Sequence, residues 1–95
     1  MLNKKDIDYF NFGKIENEKF WRRLGGKPDL KNKSVLDFGC GHGALCVDIA
    51  QSEAKTVSGI DLEENLLKFA NDNLNHIETF KNFYRLASFK FLSAN

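Results

Sequence analysis

The chain has almost no surplus charge: 14 Lys and Arg stand against 13 Asp and Glu, a formal +1 at neutral pH. Such a balance supplies no field to hold a nucleic acid backbone or an anionic membrane surface, so nucleic acid is disfavoured as a partner. Basic groupings at Lys4-Lys5 and from Arg22-Arg23 through Lys27, Lys31 and Lys33 have acidic residues among or near them, the pattern of a solvated face. Long apolar runs are missing as well. Nothing approaches the roughly 20 apolar residues that cross a bilayer, and the lysines of MLNKKDIDYF lead into no apolar stretch. A soluble, cytoplasmic chain that meets no membrane is therefore expected. Cysteine is scarce: Cys40 and Cys46 fit neither the paired spacing of a zinc site nor a disulfide framework, so a reducing compartment and no metal are expected. Low-complexity tracts and internal repeats are absent too.

What is present reads as one small globular domain. Apolar residues make up 42% and charged residues 28% of the 95 positions, close to ordinary globular usage, which argues against disorder. Residues 1–33 read as an N-terminal helical appendage, with a helix near Ile15 to Leu24 whose apolar side is Phe20, Trp21 and Leu24. Gly25-Gly26 and the single proline, Pro28, end it. Tyr9, Phe10 and Phe12 before it suit packing better than a lid over a ligand.

Residues 34–75 form the candidate core. Ser34 to Phe38 is short, apolar and bounded by turn residues, as a buried strand is, and Ala44 to Gln51 follows at helical spacing. Lys55 to Asp61 brings back β-branched residues, and Glu63 to Leu74 is helical again through Leu66, Leu67, Ala70 and Leu74. Val35 to Asp61 spans 27 residues, near the roughly 30 of a right-handed βαβ unit. The fold class is thus α/β and Rossmann-like, a parallel βαβα core in which Val35, Leu36, Val57 and Ile60 are expected to be buried on both faces. Residues 76–95 read as an irregular or helical tail. Phe80, Phe83, Tyr84, Ala87 and Phe91 fall at helical spacing, while Phe89-Lys90-Phe91 also reads as a strand fragment, and helix is favoured. A contiguous exposed patch among these aromatics would favour self-association.

Three glycines at alternate positions, Gly39, Gly41 and Gly43, lie between the first strand and the first helix. Glycine inside regular structure costs about 0.5–1 kcal/mol relative to alanine, so the cluster implies a tight turn or the close approach of a ligand. The place is the carboxyl end of a parallel strand, where open sheets bind ligands and a helix N-terminus attracts anions. Asp61 ends the next strand 22 residues after Gly39, where an acidic side chain accepts from ribose hydroxyls. Together these features define a nucleoside-containing cofactor site. Gly39-x-Gly41-x-x-Ala44 satisfies the dinucleotide fingerprint, which keeps NAD and an oxidoreductase fragment open as an alternative. Asp37 is a poor neighbour for a pyrophosphate and a good one for an ammonium group, and Gly43 is not asked for by that fingerprint. Cys40 sits near a helix N-terminus but shows no resolving partner in the sequence, so it reads as a loop filler. His42 and His76 read as solvent-facing.

Val35-Leu36-Asp37-Phe38-Gly39-Cys40-Gly41-His42-Gly43 and Val57-Ser58-Gly59-Ile60-Asp61-Leu62 resemble consecutive segments of the class I S-adenosylmethionine-dependent methyltransferases. The resemblance implies that Asp37 and the main chain from Gly39 through Cys40 and Gly41 to Gly43 hold the methionine part of S-adenosylmethionine. Asp61 would hold both ribose hydroxyls and Leu62 would pack against adenine. Relatives use a seven-stranded sheet whose later strands carry the acceptor-binding groups, which this length does not accommodate. The chain accordingly reads as the cofactor-binding portion of such an enzyme, not active alone, with catalytic residues and methyl acceptor unassigned and the tail a truncated or frame-altered end. A non-catalytic module that folds with a partner chain is the other alternative.

Overall fold

The computed structural model describes residues 2–74 and 88–93. The first helix, α1, runs from Lys4 to Arg23 and so absorbs the aromatic opening segment that the sequence reading left outside it. Asn3 caps it by accepting from the Lys5 N–H at 2.8 Å, and Asp6 in the first turn and Arg22 and Arg23 in the last complement the helix dipole. The one interior helix-breaker, Gly13, is retained because a Cβ there would meet the Ala44 Cβ at 2.9 Å. The helix stops at its glycine pair: Gly26 N–H donates to the Trp21 carbonyl at 2.8 Å and Gly25 N–H to that of Arg22 at 3.1 Å, the two bonds of a Schellman turn.

The alternation expected next is observed: β1 (Ser34–Phe38), α2 (Ala44–Gln51), β2 (Thr56–Asp61) and α3 (Glu64–Leu74). The tail departs from its helical reading, since Ser88–Ser93 form a strand, β3. The sheet order is β1-β2-β3 with both pairs parallel. Val57 lies between Val35 and Phe89, and Ile60 between Phe38 and Leu92. A β-strand needs its main chain paired, and β2 presents a free edge for Phe89-Lys90-Phe91 to pair with; that partner decides between the two local readings. The third strand missing from the sequence reading is therefore present. The rest of the tail reading, including Phe80, Phe83, Tyr84 and His76, falls outside the described residues.

Burial shows that the described helices cover one face of the sheet. Val57 is fully buried and Val35 partly so, whereas their neighbours Leu36 and Phe38 are 59% and 80% exposed. Two parallel crossovers stepping in the same direction place both helices on the same side, so the expectation of burial on both faces fails for Leu36 and only partly holds for Ile60. α2 lies between the sheet and α1, which explains why Ala44, Cys46, Val47, Ile49 and Ala50 are all buried in so short a helix. Each fully buried aliphatic side chain of this layer stabilises by about 1.5–3 kcal/mol. The α1–α2 contact is pinned by polar bonds: Asn17 Nδ2 donates to the Ala44 carbonyl at 3.1 Å, and Trp21 Nε1 to Asp48 Oδ2 at 2.6 Å. Lys27 Nζ completes the pair at 3.2 Å from the same carboxylate. Phe10 packs on Phe69 of α3 with ring centroids 6.2 Å apart, so α1 reaches across both inner helices. Among the described residues no helix is long and apolar enough to cross a membrane.

Candidate functional site

Because β1 and β2 are parallel neighbours, their carboxyl ends open at the same edge of the sheet. Glycine φ angles of +83° at Gly39, +54° at Gly41 and +88° at Gly43 turn the chain from β1 into α2. These are left-handed values that side chains resist. A Cβ at Gly39 or Gly41 would meet nothing within 4 Å, so backbone conformation together with open space in front of the loop accounts for the glycines. Gly39 and Cys40 N–H both donate to the Ile60 carbonyl, at 2.7 and 2.9 Å. The loop is thus stitched to the tip of β2.

Asp61 completes the stitch. Its Oδ2 accepts from Gly41 N–H at 2.8 Å and its Oδ1 from Glu63 N–H at 2.9 Å. Donation first from Glu63 and then from Gly41 holds the carboxyl below the usual carboxylate range. An ionised carboxylate has about four lone-pair sites, so two bonds leave acceptor capacity facing outward. Beside it a cavity of about 470 Å³ is lined by Phe38, Gly39, Ile60, Asp61, Leu62 and Glu63. Its wall is apolar at Phe38 and at Leu62, which is 63% exposed, and its floor carries the ionised acceptor. That combination fits a purine nucleoside: a flat apolar surface for the base and a carboxylate for vicinal hydroxyls.

Asp37 lies on the helix-covered side of β1, opposite Gly59. Burial pushes its carboxyl up, against a hydrogen bond from Cys46, whose Sγ is 3.5 Å from Oδ2. The nearby Asp61 charge raises it further. A desolvated carboxylate beside open main chain is suited to receive a cation.

His42 departs from its solvent-facing reading. Its side chain is 13% exposed, with Nε2 3.1 Å from Asp6 Oδ1. The ring stacks on Tyr9 at 4.9 Å and meets the edge of Phe69 at 5.3 Å. Tyr9 and Phe12 remain 62% and 57% exposed while Phe10 is buried, so of the three aromatics Phe10 alone is a core residue. The loop is therefore held from two sides, by β2 and by α1. The sequence hid this because Asp6 is 36 residues from His42, and no local pattern reports so distant a pair. The surroundings of Cys46 are a second such contact. It is fully buried, with its Sγ 3.5 Å from Asp37 Oδ2. Among the described residues no cluster of three or more His, Cys, Asp or Glu is placed to hold a metal.

A parallel βαβ unit with a glycine turn at one strand tip and an acid at the next defines a nucleoside-binding Rossmann-like domain. Residues 29–89 match the methyltransferase domain family, and the chain belongs to that family. Over 57 residues it is 39% identical to the U6 snRNA methylphosphate capping enzyme of Drosophila melanogaster, covering 58% of this chain and 19% of that protein. Over 53 residues it is 43% identical to the ribosomal protein L11 methyltransferase of Legionella pneumophila strain Corby, covering 54% and 18%. The chain thus spans less than a fifth of either relative. Among solved structures, magnesium protoporphyrin IX methyltransferase from Synechocystis PCC 6803 with bound SAH superposes with a TM-score of 0.64. It is 23% identical and covers 100% of this chain and 41% of its own. An S-adenosylmethionine-dependent methyltransferase from Mesorhizobium loti has a TM-score of 0.58 at 23% identity, covering 81% and 30%. The fold is that of the S-adenosylmethionine-dependent methyltransferases, and S-adenosylmethionine is the cofactor that goes with it.

Proposed function

We propose that this chain is the cofactor-binding portion of an S-adenosylmethionine-dependent methyltransferase and binds S-adenosylmethionine at the shared edge of β1 and β2. The observation that carries the reading is the 2.8 Å bond from Gly41 N–H to Asp61 Oδ2, which unites glycine loop and acidic tip in one site. Asp61 accepts from both ribose hydroxyls, and Leu62 and Phe38 flank the adenine. Asp37 receives the ammonium group, and the main chain from Gly39 through Cys40 and Gly41 to Gly43 lies along the methionine part. When bound, the cofactor supplies a methyl group already activated on a sulfonium, so the chain's contribution is to hold and orient it. A methyl acceptor and a general base would be met by residues beyond the described ones.

Calorimetric titration of the purified chain with S-adenosylmethionine, S-adenosylhomocysteine and NAD tests this. Binding of the first two is expected; a response to NAD alone would overturn it. One observation favours a second reading alongside it. Leu36 and Phe38 leave an apolar sheet face uncovered, which suits a cytoplasmic module that associates with another copy of itself or with the remainder of an enzyme. A strictly monomeric mass in light scattering at high concentration would count against self-association.

A further inference from the structure

β1 forms one edge of the sheet, and no described residue pairs with its outer side. Which main-chain groups face outward follows from its two ends. The Lys33 carbonyl accepts from Lys55 N–H at 2.8 Å and Gly39 N–H donates to the Ile60 carbonyl at 2.7 Å, both toward β2. The N–H and C=O of one peptide point in opposite directions, so Ser34 N–H and the Phe38 carbonyl point away from the sheet. That direction alternates from residue to residue along a strand. Ser34, Leu36 and Phe38 therefore turn both their N–H and C=O groups outward, ready for a further strand.

The same residues carry the uncovered face, where Leu36 is 59% and Phe38 80% exposed. Proteins blunt open edges with charges or proline. β1 has neither on this face, because its one charged residue, Asp37, lies on the helix-covered side, whereas β3 at the opposite edge carries Lys90. We propose that β1 pairs antiparallel with β1 of a second copy of the chain, with Leu36 on the two-fold axis. This gives the self-association reading above a surface and a register, and it is independent of cofactor binding.

The register follows from matching the outward groups. Antiparallel strands hydrogen-bond through opposed residues that both aim their main chain at the partner. Centred on Leu36, the pairing sets Leu36 against Leu36 and, on either side, Ser34 against Phe38, so every outward group of both copies is used. Sliding one copy by two residues leaves an outward residue of each copy opposite Asn32, at φ +60°, or Cys40 in the glycine loop, and those bonds are lost. On the open face Leu36 meets its copy with Phe38 diagonal to it, an apolar strip of four side chains. On the helix side Asp37 faces Val35 of the second copy, whose Lys33 and Asp37 are its two diagonal neighbours, so the like charge is met by an opposite one. A two-fold pairing consumes both β1 edges and closes at two copies.

Sedimentation equilibrium of the whole chain at high concentration should give twice the monomer mass. Leu36→Lys, at an exposed position, should return the monomer mass with an unaltered circular dichroism spectrum. Oxidation of added cysteines reads the register. Leu36→Cys should cross-link into a dimer, since directly opposed, hydrogen-bonded residues lie about 5.5 Å apart at Cα, within disulfide reach. Phe38→Cys alone should not, because its two copies sit four residues, about 13 Å, apart along the strands; mixed with Ser34→Cys it should. The wild-type chain, whose two thiols are buried, is oxidised in parallel as the baseline. A monomer mass for the wild type, or a dimer that Leu36→Lys does not dissociate, would overturn the proposal. A dimer in which Phe38→Cys alone cross-links as readily as Leu36→Cys would overturn the register and leave self-association standing.

Discussion

Replacing Asp61 with alanine removes a ligand-binding carboxylate and, at the same time, a structural tie. Two backbone donors lose their acceptor: Gly41 N–H at 2.8 Å and Glu63 N–H at 2.9 Å. A hydrogen bond to a charged group is worth about 1.5–3 kcal/mol when shielded. The Glu63 bond is exposed, so water replaces it with little loss; the Gly41 bond is partly buried. Discounting for solvent, Asp61→Ala is expected to destabilise by about 1–2 kcal/mol, nearly all of it through Gly41. A domain of this size shifts by about 4–8 °C per kcal/mol, so the thermal midpoint should drop by roughly 5–15 °C. Far-UV circular dichroism reads the midpoint, and titration with S-adenosylhomocysteine reads the affinity, which should fall as well. Asp61→Asn, which keeps an oxygen for Gly41 but no charge, should melt in between while binding poorly. An alanine variant with the wild-type midpoint would refute the reasoning, because it would mean that the carboxylate does not hold the loop.

Further outcomes are expected elsewhere. Gly13→Ala gains helix propensity but drives a methyl to 2.9 Å from the Ala44 Cβ, so a net loss of about 1–3 kcal/mol in urea unfolding is expected. Trp21→Phe forfeits the 2.6 Å bond to Asp48, which keeps Lys27, and should lower stability by about 1–2 kcal/mol by circular dichroism. The carboxyl of Asp37 is raised in the folded state, so folding favours its protonated form. That contribution is fully present below the ordinary carboxylate range and is lost as pH rises through the raised value. Asp37→Asn should therefore melt higher than wild type at neutral pH, with the difference shrinking in acid, while binding S-adenosylhomocysteine less tightly.

The strand–loop–helix–strand–helix order was legible because hydrophobic period and turn residues agree along residues 34–74: Ser34–Phe38, Ala44–Gln51 and the end of β2 at Asp61 fall where the pattern puts them. Their nearness in space also followed from topology, since parallel neighbours share an edge. What the sequence could not report was contact between distant segments. Asp6 and His42, Trp21 and Asp48, and Gly13 and Ala44 are far apart in the chain, and their contacts hold α1 against the glycine loop and α2 along its length. β3 was ambiguous for the same reason, as Phe89-Lys90-Phe91 becomes a strand only when β2 is there to pair with it. Exposure of Leu36 was missed because apolar character records what a face is suited to, whereas burial depends on what covers it.

The bonds of Gly39, Cys40 and Gly41 to the end of β2 are made wholly by groups of the chain itself. A guest is met by a loop that the chain ties down with its own donors and acceptors, so the ligand has no wandering segment to freeze. Preorganisation of this kind removes an ordering penalty from association. The heat-capacity change on capture should then reflect the apolar area covered at Phe38 and Leu62, without the larger signature of a segment that folds around its ligand.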